Sequence, residues 1–319
     1  MSLVEIQTDR LRLLVRPDLG AGMAALLLRA PDGQWHHVLR PAPPATGDAD
    51  ELACFLLAPW VSRIAAGKFR FQGHEYALRA QGPDGTAIHG DARHHAFAIL
   101  DRSPVSMRLG HVSQPHSSSN WPWTYQAVAR YEVDATTLVC DLELTNTADE
   151  PWPAGLGFHP FWVRRLWDER DEVGVLANFV ARFPLLRRLP TGPPIHDELC
   201  DGFRRGKHVP AEPLDEVFVG SLDAADIVWP ASGVRARFQC SPELSHAVVF
   251  VPVNSRGGAA SWFCLEPVSM VNDGFNFAER GGSPSGVRVL APGETFRVRW
   301  SVEFRIDAVD RPTGANMTP

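Results

Sequence analysis

Residues 295–306, TFRVRWSVEFRI, alternate without a break. Phe296, Val298, Trp300, Val302, Phe304 and Ile306 are apolar, and Arg297, Arg299, Ser301, Glu303 and Arg305 separate them. Side chains on a strand point to opposite faces with a period of two, whereas a helix would spread both sets around its circumference. The stretch therefore predicts a long strand with one buried and one wet face, as in an antiparallel sheet. Such a strand needs partners. TLVCDLELT (137–145) places Leu138, Cys140, Leu142 and Leu144 on one face, and YQAVARYEV (125–133) does the same with Tyr125, Ala127, Ala129, Tyr131 and Val133. The intervening DATT makes these two a hairpin.

KFRFQGHEYAL (68–78) predicts a second hairpin around a Gln72–Gly73–His74 turn. HAVVFVPV (246–253) and WFCLEPV (262–268) are apolar on both faces and read as strands buried between layers. Helical periodicity is scarce, with a turn or two expected at 163–170 and 197–203. Twenty-seven prolines and 26 glycines punctuate the chain with no linker-like stretch. The pattern predicts an all-β fold, a large antiparallel β-sandwich of one domain over 1–319, its core at about 5–305 and a tail at 307–319. The Pro- and Arg-rich segment 183–213 reads as a long excursion, and such excursions often carry function.

The chain has 319 residues, 45% of them hydrophobic, and a net charge of −6. No basic stripe and no apolar run of membrane-spanning length occur, so nucleic acid and membranes are not expected partners. Glu5 and Asp9 without an apolar core near the N-terminus predict no signal peptide. Cys54, Cys140, Cys200, Cys240 and Cys264 are scattered and odd in number, which points to reduced thiols in the cytoplasm. A small molecule is the expected ligand, on a monomer or homodimer.

Several polar residues sit where apolar ones would be expected. His159 lies within GLGFHPFW (155–162), and alone it reads as a core or loop histidine. Glu266 lies in WFCLEPV, where an unpaired carboxylate would cost several kcal/mol and so must be paired, at a cavity edge, or functional. Arg63 in PWVSRIAAGKF reads equally as a snorkelling arginine, His89 in TAIHGDAR as a turn histidine, and Asp215 in EPLDEVFVG as a turn cap. No GxSxG, P-loop or GxGxxG turn occurs. His36–His37 and His94–His95 point to opposite sides of a strand and chelate poorly, so no metal site and no cofactor is predicted.

In order and local context these residues resemble the aldose 1-epimerase family, the galactose-mutarotase-like proteins, over roughly residues 5–305. PWVSRIAAGKFRFQGHEYAL is similar to the family's Asn-Arg-Ile stretch and the hairpin after it, and IHG to its His-Gly motif. TNTADEPWPAGLGFHPFW resembles its most specific segment, PLDEVF its Leu-Asp-x-x-Phe, and CLEPVSMVNDGFN its Glu-Pro stretch. The resemblance implies a supersandwich and cofactor-free interconversion of aldose anomers. It implies Glu266 as general base and His159 as general acid, with Arg63, His89 and Asp215 holding sugar hydroxyls.

Anomerisation takes the proton from the C1 hydroxyl and gives one to the ring oxygen. A carboxylate and an imidazole on opposite sides of the sugar would supply this, the imidazole titrating near its ordinary value of about 6.5. Three departures bear on the substrate: Ser62 stands for the usual Asn, Asp91 follows His89–Gly90, and HPFW replaces HPYF. HGDAR is loosely similar to a motif of the hexose-6-phosphate 1-epimerase branch. Arg93 is then a candidate rim cation, and Asp91 a charge that would repel a dianion. The balance of charge favours a free aldohexose. The alternatives are a hexose 6-phosphate and a non-catalytic carbohydrate-binding sandwich.

Overall fold

The Thr295–Ile306 strand runs through a nine-stranded antiparallel sheet in the computed structural model, which describes residues 3–113 and 119–307. Thr137–Asn146 pairs on one side of it and Val234–Cys240 on the other. Its alternation is as predicted: Phe296, Val298, Trp300, Val302 and Phe304 are buried, while Arg297, Arg299 and Arg305 are exposed. On the wet face, Arg299 bonds Asp141 and Arg297 bonds Glu143 across the strand. Exposed pairs of this kind contribute only about 0–1 kcal/mol each. The apolar face holds the sheet in place.

A ten-stranded antiparallel sheet packs against it. Its middle runs Cys54–Leu57, Gly157–Val163, Trp262–Val268, His246–Val251 and Leu214–Val219. The even residues of Gly157–Val163 face the first sheet, with Phe158 5.4 Å from Trp300 and Trp162 5.5 Å from Phe238. Its odd residues, His159, Phe161 and Val163, therefore point the other way. On Trp262–Val268 that outer face carries Trp262, Cys264 and Glu266. These strands are apolar on both sides because one face joins the inter-sheet core and the other is covered by loops.

The hairpin Tyr125–Asp134/Thr137–Asn146 and the strands at 246–251 and 262–268 match the expectation. The turn of the 68–77 hairpin is tighter than expected, Gln72 and Gly73 alone at φ +50° and +82°, with His74 already on the strand. Residues 164–171 form bends and not a helical turn, because Asp171 accepts from Leu166 N and the chain wraps around that carboxylate. A helix does form at Glu198–Arg204, N-capped by Asp197. The 183–213 excursion is built from that helix, a small hairpin of Leu185–Leu186 with Leu189–Pro190, and Lys207–His208 on the edge of the nine-stranded sheet. Of the expected tail, only Asp307 lies within the described residues.

Candidate active site

His159 and Glu266 face each other across two neighbouring strands. Gly157 pairs with Val268 and Phe161 with Cys264, one continuous register that sets 159 opposite 266. Between those pairs the ladder is interrupted over 158–160 and 265–267. Each unpaired run contains a proline, Pro160 and Pro267, which has no backbone N–H to give. Prolines are normally excluded from central strands. Here they coincide with a gap in the ladder, and His159 Nε2 lies 3.3 Å from Glu266 Oε1 at that gap. The sequence suggested a loop-held histidine and groups on opposite sides of a sugar. Both expectations are corrected: the ring stands on a central strand, and the two groups lie side by side.

Aromatic rings fix the imidazole. Phe55 and Phe161 lie 4.5 and 4.6 Å from it, and His89 meets it edge-on at 4.9 Å. Phe55 is there because it is the register partner of His159 on the other side. His89 is held by a left-handed backbone, φ +63°, with its N–H on the Ser62 carbonyl. Gly90 follows at φ +79°, and a Cβ there would lie 2.2 Å from the Ala58 carbonyl oxygen. The His-Gly sequence is thus a steric requirement for passing the chain against Ala58.

Both members of the pair are nearly inaccessible, Glu266 at 2% and His159 at 5% exposure. Burial, reinforced by the nearby Arg93 guanidinium, pushes His159 down to about 3, far below the expected 6.5. Burial and the Asp215 carboxylate hold Glu266 well above the ordinary carboxyl range, against a smaller opposing pull from Arg63. Desolvation favours the neutral form of each group. The arrangement that burial favours is thus a protonated Glu266 beside a free-base imidazole. A carboxylate beside an imidazolium holds the same number of protons, so the two arrangements differ only by one transfer.

A row of alternating charges borders the pair. Arg63, on the short strand Arg63–Ile64, donates from Nε to Asp84 at 2.9 Å. Asp84 Oδ2 lies 3.8 Å from Arg188, whose Nε is 2.8 Å from Asp215. Asp215 is on the Leu214–Val219 strand and not at a turn cap, and burial raises it above its usual value against the pull of Arg63 and Arg188. The structure thus brings together Glu266, His159 and His89, and sets Arg63 and Asp215 in the adjoining charge row.

Arg188 was missed by sequence reasoning. It comes from the 183–213 excursion, at the tip of a two-residue hairpin turn where Arg187 and Arg188 have φ +50° and +65°. Such turns prefer Asn-Gly, and each non-glycine residue in that conformation costs about 1–2 kcal/mol. Asn272 braces the tip by donating to the Arg188 carbonyl. Strain maintained in this way is typical of functional positions.

Two further expectations change. Arg93 is not a rim cation: it is buried and paired with Asp50. Asp91 is not free to repel a ligand, because its carboxylate accepts from Ser119, Asn120 N and Tyr125 and contacts His95. The adjacent histidine pairs give no hint of a cluster that the fold assembles: one donor atom each from His159, Cys264 and Glu266 lie within 4.8 Å of one another.

A two-sheet supersandwich with a buried carboxylate–imidazole pair on one outer face defines the class, and comparison with known proteins agrees. The sequence profile of the aldose 1-epimerase family matches residues 2–303, and the chain belongs to that family. It is 27% identical over 292 residues to the uncharacterized protein YphB of Escherichia coli, covering 84% of this chain and 92% of that one. The uncharacterized protein YihR of the same organism is 28% identical over 263 residues, 81% of each chain. A galactose mutarotase-like protein from Clostridium acetobutylicum superposes with a TM-score of 0.82 at 17% identity, over 96% of this chain and 95% of that one. An aldose epimerase homologue from C. elegans gives 0.78 at 16%, over 96% and 99%. At such identities the structural likeness speaks for the fold alone. Among the described residues no helix is long and apolar enough to cross a membrane.

Proposed function

We propose that this protein is an aldose 1-epimerase that interconverts the α and β anomers of a free aldohexose. The observation that carries the reading is the 3.3 Å approach of His159 Nε2 to Glu266 Oε1. The C1 hydroxyl and the ring oxygen share one carbon, so a proton acceptor and donor side by side can address both at once. Glu266 as carboxylate takes the hydroxyl proton while His159 as imidazolium protonates the ring oxygen. The C1–O5 bond breaks, the aldehyde forms, the C1–C2 bond rotates, and the reverse transfers close the ring. Sugar hydroxyls entering the site solvate the charged arrangement that the empty site disfavours. Each group contributes about 10²–10⁴-fold.

Arg63, His89, Asp215 and Arg188 hold the remaining hydroxyls in this reading. Arg63 and Arg188 are each already matched by a carboxylate, Asp84 or Asp215. Such a row suits neutral hydroxyls, which accept from one partner and donate to the next, better than a phosphate dianion. The five cysteines are all unpaired, which fits a reducing compartment such as the cytoplasm.

Saturation-transfer NMR of anomer exchange in glucose, galactose and glucose 6-phosphate tests the reading. Exchange of a free sugar is expected. Binding without exchange would favour a carbohydrate-binding module, and a clear preference for glucose 6-phosphate would sink the free-sugar assignment.

Arg188→Ala is expected to raise KM about tenfold or more with a smaller change in kcat, since it removes binding common to ground and transition states. An unchanged KM would reduce Arg188 to a structural brace.

A further inference from the structure

We infer that His159, Cys264 and Glu266 form a zinc site, and that Zn²⁺ bound there blocks the catalytic pair. Cys264 and Glu266 are two apart on one strand and so share its outer face, and His159 is opposite Glu266. The three donor atoms lie within 4.8 Å of one another, and all three residues are buried. Tetrahedral zinc with bonds of about 2.0–2.1 Å to nitrogen and oxygen separates those two donors by roughly 3.3 Å. His159 Nε2 and Glu266 Oε1 are already 3.3 Å apart. The third donor, the Cys264 thiol, lies within 4.8 Å of both and has to close in to reach a zinc–sulfur bond of about 2.3 Å.

The donor chemistry selects the ion. A thiolate, an imidazole and one carboxylate oxygen favour Zn²⁺ or Co²⁺ over Mg²⁺ and Ca²⁺, which prefer all-oxygen shells. Three protein ligands leave the fourth position for water. On binding, the Cys264 S–H and the Glu266 O–H each lose a proton to solvent, the imidazole brings its free lone pair, and three metal–ligand bonds form. The two anionic ligands balance the ion's charge, so binding adds no net charge beside Arg40, Arg63 and Arg93, whose positive charges act on His159.

Zinc in this position occupies the lone pairs that the proton transfers need. Inhibition therefore rests on the anomerase reading, whereas binding rests on the donor geometry alone.

Titration of the chelator-treated full chain with Co²⁺ and Zn²⁺ separates the two. Co²⁺ is expected to give a thiolate charge-transfer band and the intense visible bands of four-coordinate cobalt, with one Zn²⁺ displacing one Co²⁺ per chain. Cys264→Ser should lose the band and bind Zn²⁺ at least about tenfold more weakly, since a hydroxyl is a poor zinc ligand. In anomer exchange, Zn²⁺ should inhibit the wild type reversibly, with a chelator restoring activity. Cys264→Ser should keep its basal rate and be about tenfold less sensitive. If the serine variant does not fold, Cys264→Ala serves in its place. No thiolate band, or equal zinc affinity in wild type and variant, overturns the site. Stoichiometric binding in a protein with no anomer turnover supports the metal site and overturns the function assigned above.

Discussion

Glu266→Gln is expected to lower anomer turnover by about 10²–10⁴-fold while the protein stays folded. The amide has the shape of the carboxyl it replaces and cannot take the C1 hydroxyl proton. Because burial favours the neutral form of Glu266, the neutral amide matches the charge state that its surroundings prefer. It therefore creates neither a cavity nor an unpaired buried charge, the two usual sources of large destabilisation. Thermal melting should be unchanged or slightly higher than wild type. Exchange of the α and β signals, measured on enzyme with native circular dichroism, reads the rate. A folded variant turning over near the wild-type rate would remove Glu266 from the proton-transfer step.

Period-2 alternation was enough to locate the main strands because each has at least one face in the core. Thr295–Ile306 appears where that pattern placed it, and Trp262–Val268 where a run apolar on both faces placed a buried strand. The helical turn or two expected at 163–170 does not form, and the deciding partner, Asp171, is a side-chain acceptor that periodicity ignores. His159 was misread as loop-held because prolines and glycines normally punctuate strands. Pro160 and Pro267 instead mark the gap in a central ladder, a relation visible only when both strands are aligned.

The site residues carried by motif resemblance were recoverable from sequence. Arg188 and Asp84 were not, since each reaches the site through tertiary contacts, and Cys264 was passed over although it lies beside Glu266 on one strand. A faint signal did exist for Arg188: two arginines between the short apolar runs Leu185–Leu186 and Leu189–Pro190, where a turn would favour Asn-Gly. For Cys264 the signal was its i, i+2 spacing to Glu266, which puts both on one strand face.

His159→Asn is expected to cost a similar 10²–10⁴-fold in turnover, and the wild-type pH profile should show why. The pair works with one shared proton. Adding a second protonates His159, which burial and Arg93 push down to about 3. Removing the shared one ionises Glu266, which burial and Asp215 hold above the ordinary carboxyl range. The lowered value moves the acid limb down and the raised value moves the alkaline limb up, so the one-proton window of the free enzyme is wide. These limbs belong to the pair as a unit. Accordingly, kcat/KM should stay level as pH falls through 6.5, the value at which an unperturbed histidine would already be charging. The asparagine variant loses the imidazole's lone pair, and its smaller side chain leaves space between Phe55 and Phe161. A drop in melting temperature is therefore expected, and the rate must be measured well below that transition. An acid limb near 6.5 in the wild type would mean that the imidazole is solvated in the working enzyme. A folded His159→Asn variant with an intact rate would mean that another group protonates the ring oxygen.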